Sequence, residues 1–127
     1  MAGLKELGGK MARSLGPEDA MQCCVFDWIR AMNYDDFCWH TANERKCSIA
    51  AGIKLKRKGV LAGVSDIIVG KQCGDYGMAF IELKFGKNKT TESQNKFLQK
   101  MNLHGYFTKV CYSAEDAINT IAWYLKL

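Results

Sequence analysis

The stretch from Gly63 to Lys84 constrains the chain most. It places one acid, Asp66, and after fifteen intervening residues a Glu82-Leu83-Lys84 triplet, with strand-like sequence beside each. Ile67-Ile68-Val69 follow the Asp and Met78-Ala79-Phe80-Ile81 precede the Glu. Short apolar runs rich in β-branched and aromatic residues read as buried strands. Side chains alternate along a strand, so Phe80, Glu82 and Lys84 share one face while Ala79, Ile81, Leu83 and Phe85 share the other. A carboxylate and an ammonium group thus stand beside each other on a strand whose opposite face is apolar. Charges there are costly unless paired or bound to a metal.

The remaining elements follow from periodicity and capping. Pro17 after Gly16 opens a helix to Met32, with Met21, Cys24, Val25, Trp28, Ile29 and Met32 at helical spacing. At about 100° per residue, Glu18 falls into the same stripe as Met21, Val25 and Ile29. Phe37–Thr41 is expected as a strand, and Cys47–Ala51 as a short one. Val64–Val69 and Met78–Phe85 are expected to pair as an antiparallel hairpin across Gly70–Gly77, in a register that can set Asp66 beside Glu82. Thr91 and Gln94 have capping-box spacing for a helix over Thr90–His104, with Gln94, Phe97, Leu98 and Met101 inward. A strand over Tyr106–Tyr112 and a final helix capped by Ser113 complete the chain. Ala114, Ala117, Ile118, Ile121, Ala122 and Leu125 form the apolar face of that helix. This order implies an α/β fold with a mixed central sheet of about four to five strands flanked by helices.

At 127 residues, 48% of them apolar, the chain suits one domain. Residues 17–127 are expected to form it, after a flexible tail or short extra element over residues 1–16. Its net charge of +5 is bunched in Lys54, Lys56, Arg57 and Lys58 and in Lys84, Lys87 and Lys89, which suits a polyanion as partner, although charge alone favours a solvated surface. Six cysteines contain no C-x-x-C pair, and they read as reduced thiols. Neither a signal-like apolar region nor eighteen consecutive apolar residues is present, so a cytoplasmic, non-secreted protein without a membrane span is expected.

Two acids and a lysine on one sheet face have a specific use. Carboxylates about 4 Å apart repel by about 4 kcal/mol at an effective dielectric near 20, whereas a divalent cation between them turns repulsion into binding. Oxygen donors select a hard ion, Mg²⁺ or Mn²⁺, which can act on a phosphoryl group and a water. Lys84 then lies where it can stabilise developing negative charge.

Asp66, Glu82 and Lys84 resemble the D…E-x-K signature of the PD-(D/E)XK nucleases. Their flanks are more specific. His40-x-x-Asn43-Glu44, Leu55-Lys56-Arg57-Lys58-Gly59-Val60-x-x-Gly63-Val64-Ser65-Asp66, Ile81-Glu82-Leu83-Lys84 and Thr91-Glu92-Ser93-Gln94, in this order, resemble the VRR-NUC (virus-type replication-repair nuclease) domain. Ser65 departs from the pattern, since many relatives carry Pro before the Asp.

The resemblance implies a restriction-endonuclease-like core and Mg²⁺- or Mn²⁺-dependent hydrolysis of DNA phosphodiesters that leaves 5′-phosphate ends. It implies that Asp66, Glu82 and the Leu83 carbonyl ligate the metal and that Lys84 is the catalytic lysine. Gln94 would contact the scissile phosphate or the attacking water, and Glu18 would complete the acidic cluster directly or through a water. Lys54, Lys56, Arg57, Lys58, His40 and Asn43 are the candidate DNA contacts. Stand-alone phage and bacterial members of similar size are associated with homodimers acting on branched DNA of four-way junction or flap type, which implies a bacterial or phage-infected cell. Plainer readings stay open at single positions: Glu82 and Lys84 as an ion pair, Gln94 as a helix cap, Glu18 as a first-turn acid and His40 as a structural residue. For the whole chain, the alternatives are an inactive DNA-binding module with a nuclease-like fold and a structural subunit of a larger complex.

Overall fold

The computed structural model describes residues 15–42 and 47–127. The expected N-terminal tail therefore falls outside the described residues except for Leu15 and Gly16, and so do Asn43 and Glu44. Helix α1 (Pro17–Ala31) starts behind Gly16 with Pro17 in its first turn, Glu18 and Asp19 beside it and Arg30 in the last turn. These charges complement the helix dipole, while Val25 and Ile29 are fully buried.

The expected strand over Phe37–Thr41 contracts to β1 (Cys38–Trp39). Cys47–Ala51 is not a strand: Ser48 caps a helix, α2 (Ile49–Arg57), its Oγ accepting the Ala51 N–H at 3.2 Å. Among the described residues no neighbouring strand supplies a ladder there, and Ala50-Ala51 favour helix once a cap is present. None of the residues of α2 is buried.

The hairpin is shorter than expected, consisting of β2 (Ile67–Val69) and β3 (Ala79–Leu83). Val64 to Asp66 stay outside the ladder, because Gly63 turns the chain with φ +82 against the start of the next helix. That helix, α3 (Glu92–Leu103), has both halves of the expected capping box, with Thr91 Oγ1 accepting the Gln94 N–H and Gln94 Oε1 accepting the Thr91 N–H. Strand β4 (Phe107–Cys111) and helix α4 (Ala114–Tyr124) follow, and Ser113 Oγ accepts the Asp116 N–H at 3.0 Å.

The strands form one mixed sheet in the order β1-β2-β3-β4. The first two pairings are antiparallel, and β3 pairs parallel with β4, whose crossover contains α3 as parallel neighbours require. On one face Ile67, Val69, Ala79, Ile81 and Leu83 pack with Val25 and Ile29 of α1 and with Ala117, Ile121 and Tyr124 of α4. On the other, Ile68 and Phe80 pack with Phe97 of α3, whose ring meets that of Phe80 edge-on at 5.2 Å. The inward face of α4 differs from the apolar stripe expected, because Thr120 and Tyr124 are buried in it. Their polar atoms are satisfied: Thr120 bonds the Asp116 carbonyl, and the Tyr124 hydroxyl donates to the Lys71 carbonyl at 2.6 Å. None of the six cysteines is paired in a disulfide, and among the described residues no helix is long and apolar enough to cross a membrane.

Candidate active site

The register of the hairpin builds the site. Ile67 lies opposite Ile81, and the same antiparallel step continued by one residue sets Asp66 opposite Glu82. Asp66 Oδ2 accepts the Leu83 N–H at 2.8 Å, so its carboxylate is tied to the end of β3. Its main chain is held from the other side, where the His40 ring lies with Nδ1 2.7 Å from the Asp66 carbonyl oxygen. A carbonyl only accepts, so Nδ1 carries the hydrogen.

Glu82 is 1% exposed. Its Oε1 lies 3.7 Å from Lys84 Nζ, and its Oε2 is buried with no hydrogen-bond partner among the described residues. Burial, and then the charge of Asp66, push the Glu82 carboxyl up to about 8 against the opposing pull of Lys84. An orphaned carboxylate oxygen is costly, and a cation beside it would remove the cost. Two carboxylates and a main-chain carbonyl are the hard donors that such an ion takes. The residues present thus fit a divalent cation, although the described residues bring no three His, Cys, Asp or Glu side chains together.

Glu18 reaches the same place from α1. Its Oε1 accepts from the Phe85 N–H at 3.2 Å and from Asn88 Nδ2 at 3.3 Å, fastening the helix start to the exit of β3. Glu18, Asp66, Leu83, Lys84 and Gln94 line a cavity of about 220 Å³, together with Asp19 and Gln22, which the sequence reading did not single out. Gln22 was accessible to it: four residues after Glu18, it shares that helix face. Gln94 caps α3 and lines the cavity at once, so the two readings of this residue are compatible.

The basic candidates stand apart from this cavity. Lys54, Lys56, Arg57 and Lys58 are exposed on α2 and at its end. His40 touches the site through the Asp66 main chain, and Asn43 lies outside the described residues.

The electrostatics of Glu82 give a pH prediction for the metal-free protein. Its folded-state value lies above the ordinary 4.5, so the folded state binds the proton more tightly than the unfolded one. The resulting stabilisation is fully present below about 4.5 and is lost as pH rises to about 8. In EDTA, denaturant midpoints are expected to fall across this window for the wild type, and the Glu82-dependent part of the fall should vanish in Glu82→Gln. Equal pH slopes in the two proteins would refute the assignment.

A mixed α/β sheet with one acid just before its second strand, another within its third and a lysine just after the third has the restriction-endonuclease-like fold. The VRR-NUC domain model matches residues 16–115, and the chain belongs to this family. A solved structure of a VRR_NUC domain protein is similar to it over 90% of this chain and 92% of that one, with a TM-score of 0.78 and 27% sequence identity. Comparison with curated proteins gives no match. The family is one of nucleases, which makes the function of the chain nuclease-type.

Proposed function

We propose that the protein is a metal-dependent endonuclease that hydrolyses phosphodiester bonds in branched DNA and leaves 5′-phosphate ends. The observation that carries this reading is the buried, unpartnered oxygen of Glu82, next to Lys84 and behind a polar cavity that Asp66 and Lys84 line. Asp66, Glu82 and the Leu83 carbonyl would hold Mg²⁺ or Mn²⁺, which when bound neutralises the acid pair, polarises the phosphate and acidifies a water. Lys84 stabilises the negative charge that grows on the phosphoryl oxygens as the water oxygen bonds to phosphorus and the bond to the 3′-oxygen breaks. The Gln94 amide orients the water or the phosphate, its oxygen already fixed by the cap. Glu18 accepts hydrogen bonds at the rim and holds the end of β3 in place. The exposed cations of α2 supply phosphate contacts away from the reacting bond.

Cleavage of four-way junction and flap DNA with Mn²⁺ or Mg²⁺, mapped on end-labelled strands, tests this reading. Products with 5′-phosphates and complete inhibition by EDTA are expected; cutting that persists in EDTA would overturn the mechanism. The exposed basic helix also suits a module that only binds DNA. Calorimetric titration with Mn²⁺ separates the two, because the nuclease releases binding heat that Glu82→Gln loses, and absence of heat in the wild type favours the module. A homodimer would oppose two sites, as cutting both strands of a junction requires, and sedimentation at assay concentration tests it.

A further inference from the structure

The strand that carries Glu82 runs out into a turn with charges of its own. After Lys84, whose N–H donates to the Cys111 carbonyl at 2.9 Å, the chain leaves the sheet and folds back over Phe85-Gly86-Lys87-Asn88, closed by the Asn88 N–H on the Phe85 carbonyl at 3.1 Å. Gly86 has φ +62 in it, a conformation that most other residues enter at a cost. Every residue from Phe85 to Lys89 is exposed, yet the turn is also held from outside. Glu18 Oε1 accepts both the Phe85 N–H, at 3.2 Å, and Asn88 Nδ2, at 3.3 Å, which ties the first residue of the turn and its last to one carboxylate of α1. A turn that only faced solvent would need no such anchor. Its position relative to Lys84 is fixed from two sides, by β4 and by α1.

What the anchored turn presents is positive charge. Lys87 stands at its tip and Lys89 directly after it, and neither forms an ion pair among the described residues, whereas Arg30, Lys84, Lys96 and Lys109 each face an acid at 3.0 to 3.7 Å. The neighbouring cavity is acidic, with Glu18, Asp19 and Asp66 in its lining. A second cavity of about 320 Å³, between the turn and the start of α1, shares Glu18 and Asp19 with it and is lined by Phe85 and Asn88. The rim of the acidic cavity thus runs directly onto the turn. A DNA backbone arriving there meets carboxylates, and a cation held by the acid pair would offset that pair and leave the adjacent phosphates without a partner. The basic helix α2 stands apart. With Asp19 on the helix side of the rim and two lysines without acid partners on the turn side, a phosphate is directed to the turn. Because the turn is already fixed, little ordering is needed when it binds.

We propose that Lys87 and Lys89 bind backbone phosphates of the DNA next to the scissile bond, and that Asn88 is a positioning residue which, through Glu18, holds them in place relative to Lys84. The proposal rests on the nuclease reading for the identity of the polyanion, but its test does not depend on cleavage. Binding of a fluorescent four-way junction by the full chain is measured by anisotropy in EDTA over a series of KCl concentrations. Each phosphate contact contributes about 0.9 to the slope of log affinity against log salt, so Lys87→Gln and Lys89→Gln should each flatten the wild-type slope by about 0.9, and the double variant by about twice that. Lys126→Gln is the charge control. Lys126 follows Tyr124, whose hydroxyl reaches the carbonyls of Lys71 and Tyr76 ahead of β3, so it lies at the other end of that strand and the slope should hold. Asn88→Ala decides the positioning role because it alters no charge: in protein shown by a melt to be folded, it should still flatten the slope and weaken binding by roughly threefold at low salt. An Asn88 with a merely structural role would lower the melt and leave the slope alone. With Mn²⁺, the KM for cleavage should rise in the double lysine variant by about tenfold while kcat holds, since these contacts are made equally before and during the reaction. A double variant with wild-type slope and affinity overturns the phosphate contacts, and a folded Asn88→Ala with the wild-type slope overturns the positioning role. Flattened slopes without Mn²⁺-dependent cleavage would keep the contacts and remove the nuclease reading, whereas cleavage with slopes unmoved in every variant would do the reverse.

Discussion

Asp66→Asn is expected to abolish DNA cleavage, by at least about 10³-fold, while leaving the fold intact. The substitution is informative because Asp66 has two roles that separate. Its Oδ2 accepts the Leu83 N–H, and an asparagine oxygen can accept the same bond. Its charge, by contrast, is half of the acid pair that a divalent ion requires, and asparagine removes it. Lys84→Ala, which removes the ammonium 3.7 Å from Glu82, should cost about 10²–10³-fold, the usual price of one charge-stabilising group in a site that excludes water. Single-turnover cleavage with saturating Mn²⁺, alongside circular dichroism and a thermal melt, makes the measurement. A folded Asp66→Asn that still cuts at the wild-type rate would remove the acid pair from the mechanism.

The second large effect is on stability and comes from a residue without a side chain. At Gly63, φ is +82, and a Cβ would lie 2.3 Å from the Ser93 carbonyl oxygen and 2.8 Å from the Gln94 nitrogen. Both neighbours are main-chain atoms in the capped start of α3, so neither can rotate away. Gly63→Ala is expected to destabilise the protein by roughly 3–5 kcal/mol, from the left-handed backbone together with displacement of the cap. Its melting temperature should fall by at least about 10 °C. Gly59→Ala is the control, because Gly59 also has positive φ, +101, but nothing lies within 4 Å of its added carbon. It should lose only about 1–2 kcal/mol. Similar melting temperatures for the two variants would show that the contact with α3 is not what makes Gly63 necessary.

The difference between those glycines also shows what a sequence carries and what it leaves out. The alternation from Ala79 to Leu83 was legible because burial on both sheet faces follows a period of two, and it placed Glu82 on the face that the structure gives it. The caps at Thr91 and Ser113 were legible because they are local, complete within four residues. The helical state of Ile49–Arg57 was not, since Cys47 to Ala51 suits a strand until one knows that no neighbour offers a ladder. Residues Val64 to Asp66 stop short of strand β2 for a similar reason: Gly63 meets helix α3 some thirty residues later in the chain. Thr120 and Tyr124 were missed because a polar atom argues against burial unless its partner is known, and the partner of Tyr124 is a carbonyl at Lys71. Acids and lysine were readable at the site as chemistry out of place. Gln22 was readable from its spacing to Glu18, but Asp19 and the grip of His40 on the Asp66 main chain required the third dimension.

Leu83 is the residue through which these layers communicate. Its side chain is 1% exposed and belongs to the core between the sheet and helices α1 and α4, its N–H holds the Asp66 carboxylate, and it lines the cavity together with Asp66 and Lys84. A conservative change in the oily interior, Leu83→Val for example, would thus act like an adjusting screw on the acid pair, moving one carboxylate against the other without altering any polar residue. Selection on packing and selection on reactivity fall here on the same atoms, so the interior of this small protein cannot drift freely from its chemistry.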